Sequence, residues 1–111
     1  MQIASRYLKD AKVLTLKGLF DYHAKPEFDL AITCAEEIRC RHIILNLAEV
    51  SGIDSAGLGR IILCMQQLRT QGIRLTILNP APHIRELLDL FGFSTSLPIC
   101  HSEEEALTLA T

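Results

Sequence analysis

The sequence predicts an α/β fold: a mixed sheet of four or five strands with about four α-helices packed on it. Short apolar runs alternate with longer segments whose apolar residues recur at helical spacing, and one run is apolar almost without a break. Glycine or proline stands at most of the boundaries between them. The 111 residues suit a single domain spanning 1–111 and leave no room for two cores. The chain shows no internal repeat, no low-complexity stretch and no linker.

Ile3–Leu8 and Val13–Leu19 are short apolar runs around the polar Lys9-Asp10-Ala11, the pattern of a hairpin. Pro26 suits the first turn of a helix, where its missing N–H is not needed, and Phe28, Ala31, Ile32, Ala35 and Ile38 then follow helical spacing. His42–Leu47 is the near-continuous apolar run, expected of a strand covered on both faces. A second helix is expected from about Ala56 to Gln71, with Leu58, Ile61, Ile62, Met65 and Leu68 on its buried stripe. Gly72 follows as its left-handed terminus. Arg74–Leu78 reads as a strand, Ile84–Phe91 as a helix closed by Gly92, and Leu97–Cys100 as a last short strand. Ser102 and Glu105 form a capping box, and the three acids Glu103–Glu105 complement the positive end of a final helix.

Composition excludes several classes of function. Hydrophobic residues make up 49% of the chain but aromatics only 5%, so aliphatic side chains must fill the core. The net charge is −2, with none of the clustered Lys and Arg that nucleic acid or an anionic membrane requires, so neither direct nucleic-acid binding nor membrane insertion is expected. No stretch approaches the ~20 apolar residues of a membrane span. Arg6 and its polar neighbours interrupt any secretory signal, which makes a cytoplasmic location the expectation. Cys34, Cys40, Cys64 and Cys100 form no CxxC pair and are expected as reduced thiols, with Cys64 a small apolar filler. His23, His42, His83 and His101 lack metal-ligand spacing, so no metal and no cofactor is expected.

The segment Val50-Ser-Gly-Ile-Asp-Ser-Ala-Gly-Leu-Gly59 joins the most buried strand to the second helix. Asp54-Ser55 stands at the expected N-cap, with Gly57 and Gly59 in the first turn, where each glycine costs the helix about 1 kcal/mol relative to Ala. One reading is that Asp54 or Ser55 simply caps a helix. Another is that the glycines clear side chains from the helix start, so that a partner's backbone or a phosphate can approach. A nucleophile elbow is excluded because Ile53 occupies the place of its upstream glycine, and a phosphate-binding loop because no Gly-Lys-Ser/Thr follows. No histidine is placed by sequence to serve Ser55 as a base, so the chain is expected not to be an enzyme and to have no catalytic residue.

Asp54-Ser55-Ala56-Gly57-Leu58-Gly59, preceded by an apolar strand ending in Asn46-Leu47, resembles the signature of STAS domains, and above all the bacterial anti-sigma factor antagonists. The resemblance extends over Gly18-Leu-Phe-Asp21, the Gly72-Ile-Arg-Leu segment, the Ile84–Gly92 helix and the Ser102–Leu107 cap. It implies a STAS-type sheet and a partner-switching function in which the unphosphorylated antagonist binds an anti-sigma factor, itself a GHKL-type serine kinase. Phosphorylation of the serine after the Asp ends that binding, and a PP2C-type phosphatase restores it. Carried over by position, Ser55 is the phosphorylation site. The implied partner surface takes in Phe20, Asp21, Asp54, Gly57, Leu58 and Gly59. Phe20 has two readings, an exposed aromatic that anchors a partner or a plug at the end of the core.

Many members have Glu-Leu-Asp where this chain has Leu19-Phe20-Asp21, and a second hydroxyl where it has Ala56. Ser55 is therefore the only hydroxyl of the motif. A different role is known for small STAS proteins, as accessory subunits of a lipid-transporting ABC system that bind its ATPase subunit. The intact Asp54-Ser55 pair favours the partner-switching role.

Overall fold

The computed structural model describes residues 1–38 and 40–109. β1 (Gln2–Leu8) and β2 (Ala11–Phe20) form the expected antiparallel hairpin, with Leu8 opposite Ala11 and Lys9 at a φ of 56°. A two-residue hairpin turn requires positive φ of this kind. β2 reaches Phe20, so Gly18, Leu19 and Phe20 belong to the strand and the loop begins only at Asp21. A 3₁₀ turn (Tyr22–Ala24) leads into α1 (Lys25–Glu37), which buries Phe28, Ile32 and Ala35. Ile38, expected on that face, lies beyond the helix end and is 43% exposed. The helical phase that would have buried it does not continue so far.

β3 (His42–Ile53) is twice as long as its apolar core suggests, because it stays paired with β2 as far as Phe20 opposite Ile53, through two register shifts. α2 (Ser55–Thr70) follows, then β4 (Arg74–Leu78), α3 (Pro82–Leu90) and the single turn α4 (Phe93–Ser96), which sequence reading did not anticipate. Gly72 takes the left-handed conformation expected of it, at φ 72°, and Gly92, expected as a helix end, does so as well at φ 77°. β5 (Ile99–Cys100) is shorter than expected, and α5 (Glu103–Leu109) is the last described element. Ser102 Oγ accepts from the Glu105 N–H at 3.1 Å, while the Glu105 carboxylate reaches back to the His101 N–H, one residue beyond the expected partner.

The five strands lie in the order β1-β2-β3-β4-β5, with β1 antiparallel and the others parallel. Alternation along each strand divides the buried residues between two faces. Leu14, Leu16, Ile43, Leu45, Leu47, Leu75 and Ile77 meet the buried stripes of α1, α2 and α3 in the main core. On α2 that stripe runs Leu58, Ile61, Cys64 and Leu68, so Cys64 is a core residue and Ile62, one step round the helix, is 38% exposed. Burial pushes the Cys64 thiol up to about 12, which leaves it inert as a nucleophile. Ala11, Val13, Ile44, Leu78 and Cys100 form a smaller core with Ala106 of α5 on the other face. Arg6 of β1 ties α5 down through an ion pair to Glu103.

His42 lies on this second face, 3% exposed, with Nε2 at 2.6 Å from Thr76 Oγ1. Burial, then the nearby Arg74 charge, hold its imidazole below its ordinary range. In the unfolded chain it takes up a proton near pH 6.5, but the folded protein resists it. The stability that the neutral ring contributes is thus complete above that pH and is lost as the pH falls through the lower folded-state value. Denaturant titrations between pH 8 and pH 5 are expected to show acid destabilisation that His42→Leu reduces. Identical pH profiles for the two proteins would show that His42 does not drive it.

Candidate partner-binding site

β2 and β3 end side by side, and each is followed by an aspartate that starts a helical turn. Asp21 has extended backbone and its carboxylate accepts from the His23 N–H at 2.9 Å. Asp54 is likewise extended and its carboxylate accepts from the Gly57 N–H at 2.8 Å, capping α2. The Asp54 N–H donates to the Phe20 carbonyl at 3.3 Å, which locks the two strand ends together. This junction lies at the carboxyl ends of parallel strands, where open α/β sheets commonly place their sites.

Ser55 is the first residue of α2 and is exposed. Helix geometry leaves the N–H groups of Ser55 and Ala56 without intrahelical acceptors, while that of Gly57 is taken by Asp54. Two cations of the adjoining helices are engaged elsewhere: Lys25 and Arg60 both pair with Asp29, at 3.2 and 2.6 Å.

The structure redraws the surface around Ser55. Phe20 is 0% exposed and packs on Phe28 at a ring distance of 4.9 Å, so it plugs the core and offers no side chain to a partner. Leu58, on the inward stripe of α2, is only 5% exposed. Gly57 is buried too: a Cβ there would stand 2.3 Å from the Phe20 carbonyl oxygen and 2.9 Å from Ile53 Cγ1. Its missing side chain lets α2 sit on the ends of β2 and β3, not a partner on α2. Gly59 is half-buried with open space where its Cβ would be, Asp54 is exposed and Asp21 half-buried.

Residues 2–106 of the chain match the STAS domain family. This chain belongs to the STAS family. The protein is 28% identical to the anti-sigma F factor antagonist of Paenibacillus polymyxa over 97% of this chain and 93% of that one. The anti-sigma factor antagonist SpoIIAA in its unphosphorylated form matches with a TM-score of 0.71 and 28% identity, covering 96% of both chains. The Bacillus cell fate determinant SpoIIAA in its phosphorylated form gives a TM-score of 0.75 and 26% identity, covering 99% of this chain and 100% of that one.

Two apolar side chains that sequence reading missed are exposed at this end of the sheet in this STAS protein. Leu19 is 53% exposed beside Gly52, and Tyr22 is 70% exposed in the 3₁₀ turn that packs next to α2. The period-two alternation of β2 carried the signal for Leu19, because a buried Phe20 turns its neighbour outward. His83 is exposed, and its Nε2 donates to the Ser51 carbonyl at 2.9 Å, tying the start of α3 to the end of β3. β4 pairs with β3 only as far as Asn46, so it leaves Ser51 without a strand partner on that side.

Among the described residues no group of three or more His, Cys, Asp or Glu side chains could hold a metal ion. No helix among them is long and apolar enough to cross a membrane, and all four cysteines are free thiols. The cap made by Asp21 gives it a structural task in addition to any contact it makes. Asp21→Ala is expected to lower stability by about 1 kcal/mol, the usual loss for an N-cap carboxylate, measured by urea denaturation. No change would mean that the carboxylate is free for a partner alone.

Proposed function

We propose that this STAS protein is an anti-sigma factor antagonist that works by partner switching. In its unphosphorylated form it binds an anti-sigma factor of the GHKL serine-kinase type. Phosphorylation of Ser55 by that kinase ends the complex, and a PP2C-type phosphatase restores it. The observation that carries this reading is the exposed hydroxyl of Ser55 at the first position of α2, held there by the Asp54 cap. The similarity to anti-sigma factor antagonists over nearly the whole chain supports it.

The physical basis is a difference between fold and interface. Phosphate adds about −1.5 to −2 charges at neutral pH. At the start of α2 the helix dipole favours that charge by roughly 0.3–1 kcal/mol, so the fold accepts it. A partner docked over Ser55 must instead desolvate the dianion, with the Asp54 carboxylate adding repulsion from the neighbouring position. Asp54, Asp21 and Gly59, together with Leu19 and Tyr22, form the surface the partner covers. Phe20, Gly57 and Leu58 support it from below. Incubation with ATP and the cognate kinase, followed by peptide mapping, tests the reading: one phosphate on Ser55 is expected. Stable capture of a transporter ATPase subunit in place of a kinase would instead assign the protein to lipid transport.

A further inference from the structure

The sheet has one long open edge. β1 is its end strand, seven residues paired on one side with β2, whereas the opposite end is the two-residue β5. Natural edge strands are shielded by proline, a bulge or several charges, because their unpaired N–H and C=O groups otherwise accept a further strand. β1 contains no proline, and its register against β2 runs without a shift. Its one charge, Arg6, is drawn to Glu103 of α5.

Hairpin geometry decides which backbone groups face outward. A two-residue turn closes on a hydrogen-bonded pair, here Leu8 and Ala11. Bonded and non-bonded pairs alternate along an antiparallel ladder, so Gln2, Ala4 and Arg6 direct their N–H and C=O groups to β2. Those of Ile3, Ser5 and Tyr7 point away from it. The side chains of these three share one face of the strand. Ile3, Ser5 and Lys12 line an open groove of about 330 Å³ with Glu27, Leu30 and Cys34 of α1. Tyr7 is 64% exposed, with the Lys12 ammonium 4.2 Å from its ring centre, and Leu30 is 65% exposed.

A second copy of this chain fits edge and groove at once. Turned about a two-fold axis at Ser5, the midpoint of β1, it lays its own β1 antiparallel alongside, with Ser5 facing Ser5 and each Ile3 facing a Tyr7. This register alone pairs all three outward residues with one another. Centred on Ala4, the pairing carries Tyr7 past the end of the opposing strand; centred on Arg6, it sets two guanidinium groups face to face, which is unfavourable. Each copy then provides both the groove and the ring that covers it, and an aromatic side chain opposite a β-branched one is a favourable cross-strand pair. Charge follows the same symmetry, since Tyr7 brings Lys12 toward a groove that Glu27 of the other copy lines. We propose that the protein forms a two-fold dimer through antiparallel pairing of β1 with β1 of a second copy, joining the two sheets into one. Ser55 begins α2 at the far end of β3 and takes no part in this edge, so the proposal does not depend on partner switching.

Sedimentation equilibrium of the full chain across a dilution series tests this, and a reversible monomer–dimer equilibrium is expected. Amide hydrogen exchange is expected to slow at Ile3, Ser5 and Tyr7 as concentration rises, and to change less at Ala4 and Arg6, which are already bonded to β2. Ser5→Pro removes an outward N–H, which an edge strand tolerates, and is expected to fold as a monomer. Ser5 is exposed, so Ser5→Glu keeps the test decisive if the proline variant fails to fold. By setting two carboxylates directly opposite each other it is expected to weaken dimerisation by about tenfold or more. The proposal is overturned if the protein stays monomeric at every concentration, or if exchange at Ile3, Ser5 and Tyr7 is independent of concentration. Dimerisation of Ser5→Glu as tight as that of wild type would place the interface elsewhere and overturn it too. So would a protein that stays monomeric while its β1 edge pairs with an unrelated peptide.

Discussion

Ser55→Asp is expected to fold as wild type does yet bind the anti-sigma factor kinase at least about a hundredfold more weakly, because a carboxylate at the first position of α2 is welcome in the free protein and must be desolvated in the complex. Ser55→Ala is expected to bind persistently, since it has lost the only hydroxyl of the motif and cannot be switched off. Asp54 makes the contrast sharper. Its carboxylate already occupies the Gly57 N–H, so the added charge finds only the N–H groups of Ser55 and Ala56. A carboxylate carries less charge than phosphate, so the phosphorylated protein is expected to bind more weakly still. Affinities measured for the three proteins and for the enzymatically phosphorylated form test this directly. If Ser55→Asp binds as tightly as wild type, and phosphate maps to another residue, partner switching at Ser55 is wrong.

Gly57→Ala and Gly59→Ala, two residues apart in the same helix, are expected to change stability in opposite directions. At position 57 the new methyl would stand 2.3 Å from the Phe20 carbonyl oxygen, and backbone cannot swing aside as a long side chain does. Lifting the start of α2 off β2 and β3 is expected to destabilise the protein by on the order of 3 kcal/mol. It is also expected to weaken partner binding, because Ser55 and Asp54 move with the helix start. At position 59 the methyl meets no atom within 4 Å, and alanine is the better helix former, so a gain of up to about 1 kcal/mol is expected. Urea denaturation of the two variants separates the cases. Losses of similar size at both positions would show that helix propensity and packing have been wrongly assigned here.

Phe20 and Leu58 show where sequence reading stops. Each is a large apolar side chain near the start of α2, and a motif alone does not say whether such a residue is an anchor for a partner or part of the core. The register of β2 against β3 decides it for Phe20, by carrying the strand one residue further and turning that ring onto Phe28. The same alternation brings Leu19 out, where the resemblance gave no reason to look. Gly57 teaches a related lesson, since the atom that forbids its side chain comes from a strand thirty-seven positions earlier. Ile38 and Ile62 fit helical spacing and are exposed nonetheless, because spacing defines a stripe but neither where its helix stops nor on which residues the stripe is centred.

What the sequence determined by itself was the order of the five strands and of α1, α2, α3 and α5, the residues that cap or close several of them, and Ser55 at the head of the second helix. These are local matters: apolar periodicity, Gly72 and Gly92 in left-handed turns, Asp54 and Ser102 as caps. Each acts over a few residues, so each is legible in a few residues. Tertiary structure alone decided which glycine packs and which is open, and which aromatic is buried. Those outcomes depend on strand register and on parallel crossovers that join distant segments, and no local pattern of residue types encodes a distance between them.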